Sequence, residues 1–298
     1  MPRVFVAGLL NLETTLSVDA FPLEYAVSRY RFFGVDSTVS GVGYNVARGL
    51  QGLGSEVRLA SLVGRDLAGD VVRLTLERDG LPVQDVLSGL DGTPQSVILY
   101  DGDGRRAVNT DLKDIQERAY PASRLEAELT NCDAAVICNI NFARPALRIA
   151  RARGIPIVTD LHAITDLENP YDQEFLESAS VLFFSGERLH QPLETAFEVL
   201  QRFETRLVVV GMGAGGALLC ERDREAVLVP ARSPRAVVST VGAGDALLSS
   251  FTHFLVTLGD PRAALQRAVL FAGWKVGAAG GASGLLNAAE LEVLWDAG

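Results

Sequence analysis

The feature that most constrains this chain is an alternation. Short β-branched runs stand at Arg3–Ala7, Val57–Leu62, Ala134–Cys138, Pro156–Thr159, Ser180–Phe184 and Leu207–Val210. Segments with apolar residues at helical spacing lie between them, at Tyr44–Leu53, Leu67–Asp79, Arg144–Arg153 and Glu187–Arg202. A strand followed by a helix and a further strand makes a βαβ crossover, and a series of crossovers makes a mostly parallel sheet covered by helices on both faces. The 298 residues suffice for a large core. They are read as one α/β domain over 1–298.

Two stretches, Glu13–Gly34 and Thr93–Asp111, break the alternation. Both carry strand character with turn signals such as Asp101-Gly102-Asp103-Gly104, and no helix follows promptly. They predict a small β-lid built from two insertions, about 13–34 and 93–111, that pair in space over one site.

Charge narrows the partners. The formal net charge is −10, and the 27 Lys and Arg residues form no block, so neither nucleic acid nor an anionic membrane is expected as a partner. No run of about 18 apolar residues exists to span a bilayer. The first apolar run, Val4–Leu10, reads as an opening strand rather than a signal sequence. Cys132, Cys138 and Cys220 sit in apolar segments, which predicts buried reduced thiols and a cytoplasmic location.

Several motifs fail on inspection. Gly211-Met-Gly213-Ala-Gly215-Gly216 follows a strand and matches a dinucleotide fingerprint, but Ala217–Cys220 reads as the second strand of a hairpin where a helix is required. The glycine-lysine phosphate loop of the Walker type is absent. His162, His190 and His253 are isolated, without zinc-ligand spacing.

One segment carries chemistry. In Val237–Phe251 a glycine turn, Gly242-Ala243-Gly244, precedes Asp245 and a helical pattern. A helix opening there points free amides and its positive end at the turn, a cradle for negative charge. A carboxylate in an anion cradle is uncomfortable unless it serves a different group. Asp245 fits either as a base that deprotonates an attacking hydroxyl while the backbone holds a phosphoryl group, or as a residue that favours a helix start.

These residues resemble the ribokinase-like (PfkB) family of carbohydrate and nucleoside kinases over essentially the whole chain. Ser239-Thr240-Val241-Gly242-Ala243-Gly244-Asp245 is similar to the family's D-T-x-G-A-G-D. Ser40-Gly41-Val42-Gly43-Tyr44-Asn45-Val46-Ala47, followed by Leu53-Gly54, resembles its glycine-rich substrate loop. The resemblance implies an ATP-dependent kinase acting on a primary hydroxyl of a sugar or a nucleoside. Asp245 would be the catalytic base and Gly242, Ala243 and Gly244 the anion hole. Gly41, Gly43 and Asn45 would hold the substrate, with Asn11 as a further polar contact. It also places Gly213, Gly216, Thr240 and Ser283 on the nucleotide side and implies Mg²⁺; if the lid sheets pair between chains, the protein is a homodimer, a point the sequence leaves open.

Departures from the pattern carry information. Glu13 stands where the family's G-x-x-N-x-D has the aspartate that grips vicinal hydroxyls, a reach longer by one methylene. Ser239 replaces the first aspartate of the signature, which makes monovalent-cation dependence doubtful. The asparagine of the family's N-x-x-E element is missing, and Glu187 is its surviving carboxylate, acting on Mg²⁺ through water. These losses also admit a catalytically silent sugar- or nucleotide-binding regulator on the same fold.

Overall fold

The computed structural model describes every residue except Gly104 and Gly298. Thirteen strands are present among the described residues: β1 (Arg3–Ala7), β2 (Asn11–Ser17), β3 (Val35–Ser40), β4 (Glu56–Gly64), β5 (Val86–Leu90), β6 (Gln95–Tyr100), β7 (Arg106–Asp111), β8 (Ala134–Ile137), β9 (Ile157–Ala163), β10 (Val181–Ser185), β11 (Leu207–Gly211), β12 (Ala217–Glu221) and β13 (Val227–Val229). The helices are α1 (Val42–Gly52), α2 (Leu67–Arg78), α3 (Ala122–Glu128), α4 (Arg144–Ala152), α5 (Gln173–Ser178), α6 (Pro192–Arg202), α7 (Ala243–Leu258), α8 (Pro261–Lys275) and α9 (Ala288–Asp296).

Nine strands form the main sheet in the order β13-β12-β11-β10-β9-β8-β1-β4-β5. All pairings from β11 to β5 are parallel, while β12 and β13 close one edge as antiparallel strands. Alternate residues of each strand feed opposite layers. Val4 and Val6 of β1 pack into a core with residues of α1, α2, α7 and α8, whereas Phe5 and Ala7 pack into a second core with residues of α3 to α6. The chain leaves β1 toward β4 on one side and returns to β8 on the other, so β1 lies at a topological switch point. Its carboxyl end is where an open α/β sheet leaves a crevice.

The second sheet has the order β3-β2-β6-β7. Strand β2 pairs antiparallel with β3 and parallel with β6, which joins the two interruptions of the βαβ pattern side by side. The strands of the first one flank the predicted range: β2 starts at Asn11, residues 18–34 contain no strand, and β3 lies beyond Gly34. Arg29 and Arg31 both pair with Asp19 within that connection, and the Val18 amide donates to the Tyr100 carbonyl of β6 at 2.8 Å. The last glycine of the turn signal, Gly104, lies outside the described residues.

Helix α6 also differs from expectation. It begins at Pro192, not Glu187, with the proline at its first helical position and a single 3₁₀ turn over Gly186–Arg188 before it. Proline lacks an N–H and fixes φ, so it opens a helix and disfavours helical geometry in the residue before it. None of the helices is long and apolar enough to cross a membrane among the described residues.

Candidate active site

The site is assembled at the carboxyl end of β1. Gly41 caps α1 with φ of 98°, in the left-handed region, and a Cβ on Gly43 would lie 2.6 Å from the carbonyl carbon of Gly8. Only glycine allows the turn to press against the exit of β1 in this way. The first turn of α1 then carries Asn45 inward, where its Nδ2 donates to Asp245 Oδ2 at 2.7 Å. The substrate-loop residues and the proposed base thus meet, although they are 200 positions apart.

Asp245 stands on the first turn of α7. Gly242, the cap, has φ of 79°, and a Cβ there would fall 2.0 Å from the Gly281 carbonyl oxygen. Ser239 Oγ accepts from the Val241 amide at 3.2 Å and stabilises the approach to this turn. Gly244 is different: it is exposed and open space lies where its side chain would be, so the fold itself does not require glycine there. The start of α7 offers amides and the positive end of a helix dipole to that space.

Burial pushes the Asp245 carboxyl up to about 6. The hydrogen bond from Asn45 opposes burial, the negative charges of Asp160 and Glu13 reinforce it, and His162 opposes it. A carboxylate tuned toward neutrality accepts a proton from an alcohol more readily than an ordinary aspartate.

Three other polar side chains converge beside it. Asn11 is buried and its Nδ2 donates to Ser96 Oγ of β6 at 2.7 Å, leaving Oδ1 without a partner among the described residues. Glu13 is also buried; its Oε1 is unpartnered, and burial raises its pKa against the lowering effects of Ser40, Arg106 and Lys275. Asn45 Oδ1 is the third unpartnered oxygen. A buried acceptor without a donor costs about 1–3 kcal/mol, so a group of them is explained by a ligand that brings hydroxyl donors.

The nucleotide-side residues are more dispersed. Gly213 and Gly216 have φ of 54° and 101° in the β11–β12 connection, and a Cβ on Gly216 would lie 2.0 Å from the Val229 carbonyl oxygen. The glycines turn a hairpin and do not open a helix, which removes the dinucleotide reading. Thr240 Oγ1 accepts from Arg106 Nη1 of β7 at 3.2 Å. Ser283 is exposed on the loop after α8, close to Gly280. Glu187 is exposed in the turn after β10, its amide bonded to Ser185 Oγ at 3.2 Å.

Residues given no role from the sequence complete the site. Asp160 sits in β9, bonds the His162 amide at 2.8 Å and faces Asp245 electrostatically. His162 has φ of 60°, a strained conformation for a non-glycine residue. A charged residue near the carboxyl end of an apolar central strand was the available signal for Asp160. Lys275, fully buried at the end of α8, gave none, because a terminal lysine is usually a solvated one.

The remaining reactive side chains lie elsewhere. His253 is buried, its Nδ1 2.8 Å from Ser55 Oγ, and burial lowers its pKa to about 4. Burial raises all three thiols, with Cys132 and Cys220 at about 11, so no thiolate forms near neutral pH.

Residues 1–288 match the profile of the pfkB family carbohydrate kinases. The chain belongs to that family. A deoxyribokinase of Salmonella typhi is 49% identical over 69 residues, a match covering 23% of this chain and 22% of the relative's length. A ribokinase of Dictyostelium discoideum is 22% identical over 288 residues, covering 87% of this chain and 89% of the relative. The solved structure of a microbiome-derived acarbose kinase, Mak1, superimposes with a TM-score of 0.90 at 25% identity, covering 99% of each chain. The nine-stranded, mostly parallel sheet flanked by helices matches the fold of this PfkB chain's structural neighbours.

Proposed function

We propose that this PfkB protein is an ATP-dependent kinase that transfers the γ-phosphoryl group to a primary hydroxyl of a sugar. The observation that carries the reading is Asp245 itself: a desolvated carboxylate on the first turn of α7, beside glycine-rich backbone and hydrogen-bonded to the substrate-loop Asn45. Asp245 takes the proton of the acceptor hydroxyl as its oxygen attacks phosphorus, while amides around Gly242, Ala243 and Gly244 receive the charge on the phosphoryl oxygens. The second sheet closes over the acceptor and excludes water, which limits ATP hydrolysis.

The acceptor is a polyol. Unpartnered oxygens of Asn11, Glu13 and Asn45 supply acceptors for adjacent hydroxyl groups. The sugar is favoured over a nucleoside by the position of the aromatic side chains. Phe32 and Phe33 are 88% and 106% exposed, and the Tyr44 hydroxyl is engaged by Asp79 Oδ2 at 2.5 Å. A base-stacking platform would need them elsewhere.

No group of three or more metal-ligating side chains stands together among the described residues, which suits an ion such as Mg²⁺ that keeps several waters and is held by one or two carboxylates and the substrate phosphates. Asp160 and Glu187 are the carboxylates that would hold it, directly or through water, and the ion would neutralise charge on the ATP phosphates. Gly213, Gly216, Thr240 and Ser283 take the nucleotide side. Three free thiols, Cys138 and Cys220 among them buried, accord with a reducing cytoplasm. Exposed Val35 and Val97, which the register puts on one face of the second sheet, support a homodimer through the lid.

ADP release from Mg·ATP, measured against pentoses, deoxypentoses, hexoses, oligosaccharides, sugar phosphates and ribonucleosides, tests the reading. Stimulation by one sugar class is expected. Binding of a sugar or nucleotide with no stimulation by any acceptor overturns it in favour of a silent binder.

A further inference from the structure

Lys275 is among the largest side chains with no exposure at all. It ends α8, and its ammonium makes one hydrogen bond, Nζ to the Ala278 carbonyl oxygen at 3.2 Å, with no ion-pair partner among the described residues. An ammonium has three donors. Burying one with a single acceptor costs far more than it returns in stability, so packing alone does not explain the residue.

Its surroundings indicate a use. The segment leading into the anion hole lies along the residue after Lys275: the amides of Val238 and Ser239 both donate to the Val276 carbonyl, at 2.7 and 3.0 Å. The loop that supplies Ala278 continues to Gly281, where the atoms nearest to an added Cβ would be site groups: Asn45 Nδ2 at 2.5 Å, Asn45 Oδ1 at 2.7 Å and Ser40 Oγ at 2.8 Å. The Gly281 carbonyl in turn underlies Gly242. Lys275 therefore anchors the loop on which both the anion hole and the acceptor loop rest.

The charges facing it come from separate elements. Asp245 on α7 and Glu13 on β2 attract the ammonium, and Arg235, stacked 4.3 Å over Trp274 and bonded to the Trp274 and Gly284 carbonyls, repels it. Arg106 on β7 is coupled to the same Glu13. The cleft thus holds Glu13, Asp160 and Asp245 before any triphosphate enters, and Lys275 is the cation sealed beneath them.

We propose that Lys275 is a positioning residue for phosphoryl transfer, a tethered internal cation that holds the 276–281 loop under the anion hole and balances the negative charge gathered in the cleft. The proposal rests on the kinase reading above. Its positive charge is built into the chain, so the natural protein has no need of an added monovalent cation. Burial, with help from Arg235 and against Asp245 and Glu13, lowers the ammonium pKa to about 8. The charge is therefore present at neutral pH and is lost as pH rises through about 8.

Turnover with Mg·ATP and the stimulating acceptor is measured from pH 6 to pH 10 for the natural protein, Lys275→Met and Lys275→Arg, in tetramethylammonium buffer with and without K⁺ or NH₄⁺. The natural protein should be indifferent to the added ion and should lose kcat on an alkaline limb near 8. Lys275→Met should lose about 10²-fold in kcat with little change in acceptor KM, lack that limb, and recover part of its rate with NH₄⁺ or K⁺. Lys275→Arg should retain more activity than the methionine variant, also without the limb. A natural protein with no alkaline limb and a Lys275→Met variant of normal turnover overturn the proposal. If Lys275→Met does not fold, an absent limb or strict K⁺ dependence in the natural protein overturns it alone. Loss of turnover in Asp245→Asn beside a silent Lys275→Met sinks this proposal and leaves the kinase reading standing, whereas an active Asp245→Asn sinks that reading.

Discussion

Asn45 donates its side-chain amide to Asp245 across the cleft at 2.7 Å, joining the first turn of α1 to the first turn of α7. This bond favours the ionised carboxylate, and the negative charge of Asp160 disfavours it. The two neighbours therefore tune the Asp245 carboxyl in opposite directions.

The acid limb of kcat/KM, which reports the free protein, is expected near pH 6, with activity falling as pH drops and Asp245 takes up its proton. Asn45→Ala should move this limb to higher pH and Asp160→Asn to lower pH. Parallel pH profiles of the three proteins check both directions, and shifts of the same sign would refute the assignment.

A stability effect accompanies the tuning. An aspartate whose folded pKa is raised destabilises the fold once ionised: the penalty is absent below the ordinary value of 3.8 and complete above about 6. Asp245→Asn should therefore unfold at higher denaturant near pH 7, by on the order of 1–3 kcal/mol. The gain should vanish below pH about 4. Denaturant titrations at both pH values measure it.

Two glycines of the same turn should respond differently. Gly242→Ala puts a methyl into the Gly281 carbonyl at a positive φ, and should cost about 1–3 kcal/mol of stability or more. Gly244→Ala meets no atom of the chain, so thermal unfolding should be unchanged while ATP affinity falls, because its methyl enters the space over the helix start. Calorimetry of unfolding together with nucleotide titration separates the two outcomes.

Glu13 should set acceptor preference. Glu13→Asp withdraws the carboxylate by one methylene, and Glu13→Gln replaces one acceptor oxygen with a donor. Both should raise acceptor KM by roughly 10-fold or more, the scale of one buried hydrogen bond to a charged group, without weakening ATP binding. The relative kcat/KM values across the sugar panel should also reorder in Glu13→Asp.

Much of this arrangement was legible in the chain. The parallel sheet followed from β-branched runs alternating with helical spacing, and Gly242–Asp245 and Gly41–Asn45 were readable because backbone approach demands glycine at fixed offsets. The edges were less so. Pro192 moved the start of α6 because a short polar turn and a helix begin with similar residues. The pairing strands β2 and β3 flank a connection whose composition gives no strand period. Lys275 gave no signal because a charged residue at a helix end is ordinarily solvated, and Asp160, the fourth of the seven residues of β9, was missed because nothing in the sequence names its partner. Only the tertiary fold brings them to one cleft.

The most direct test of the account is single-turnover phosphoryl transfer to the stimulating acceptor by the natural protein and by Asp245→Asn, at pH 8, with nucleotide affinity measured on the same samples. Removal of the base should lower the transfer rate by about 10²–10⁴ while nucleotide affinity and cooperative unfolding persist. Transfer at close to the natural rate in Asp245→Asn would contradict the central claim.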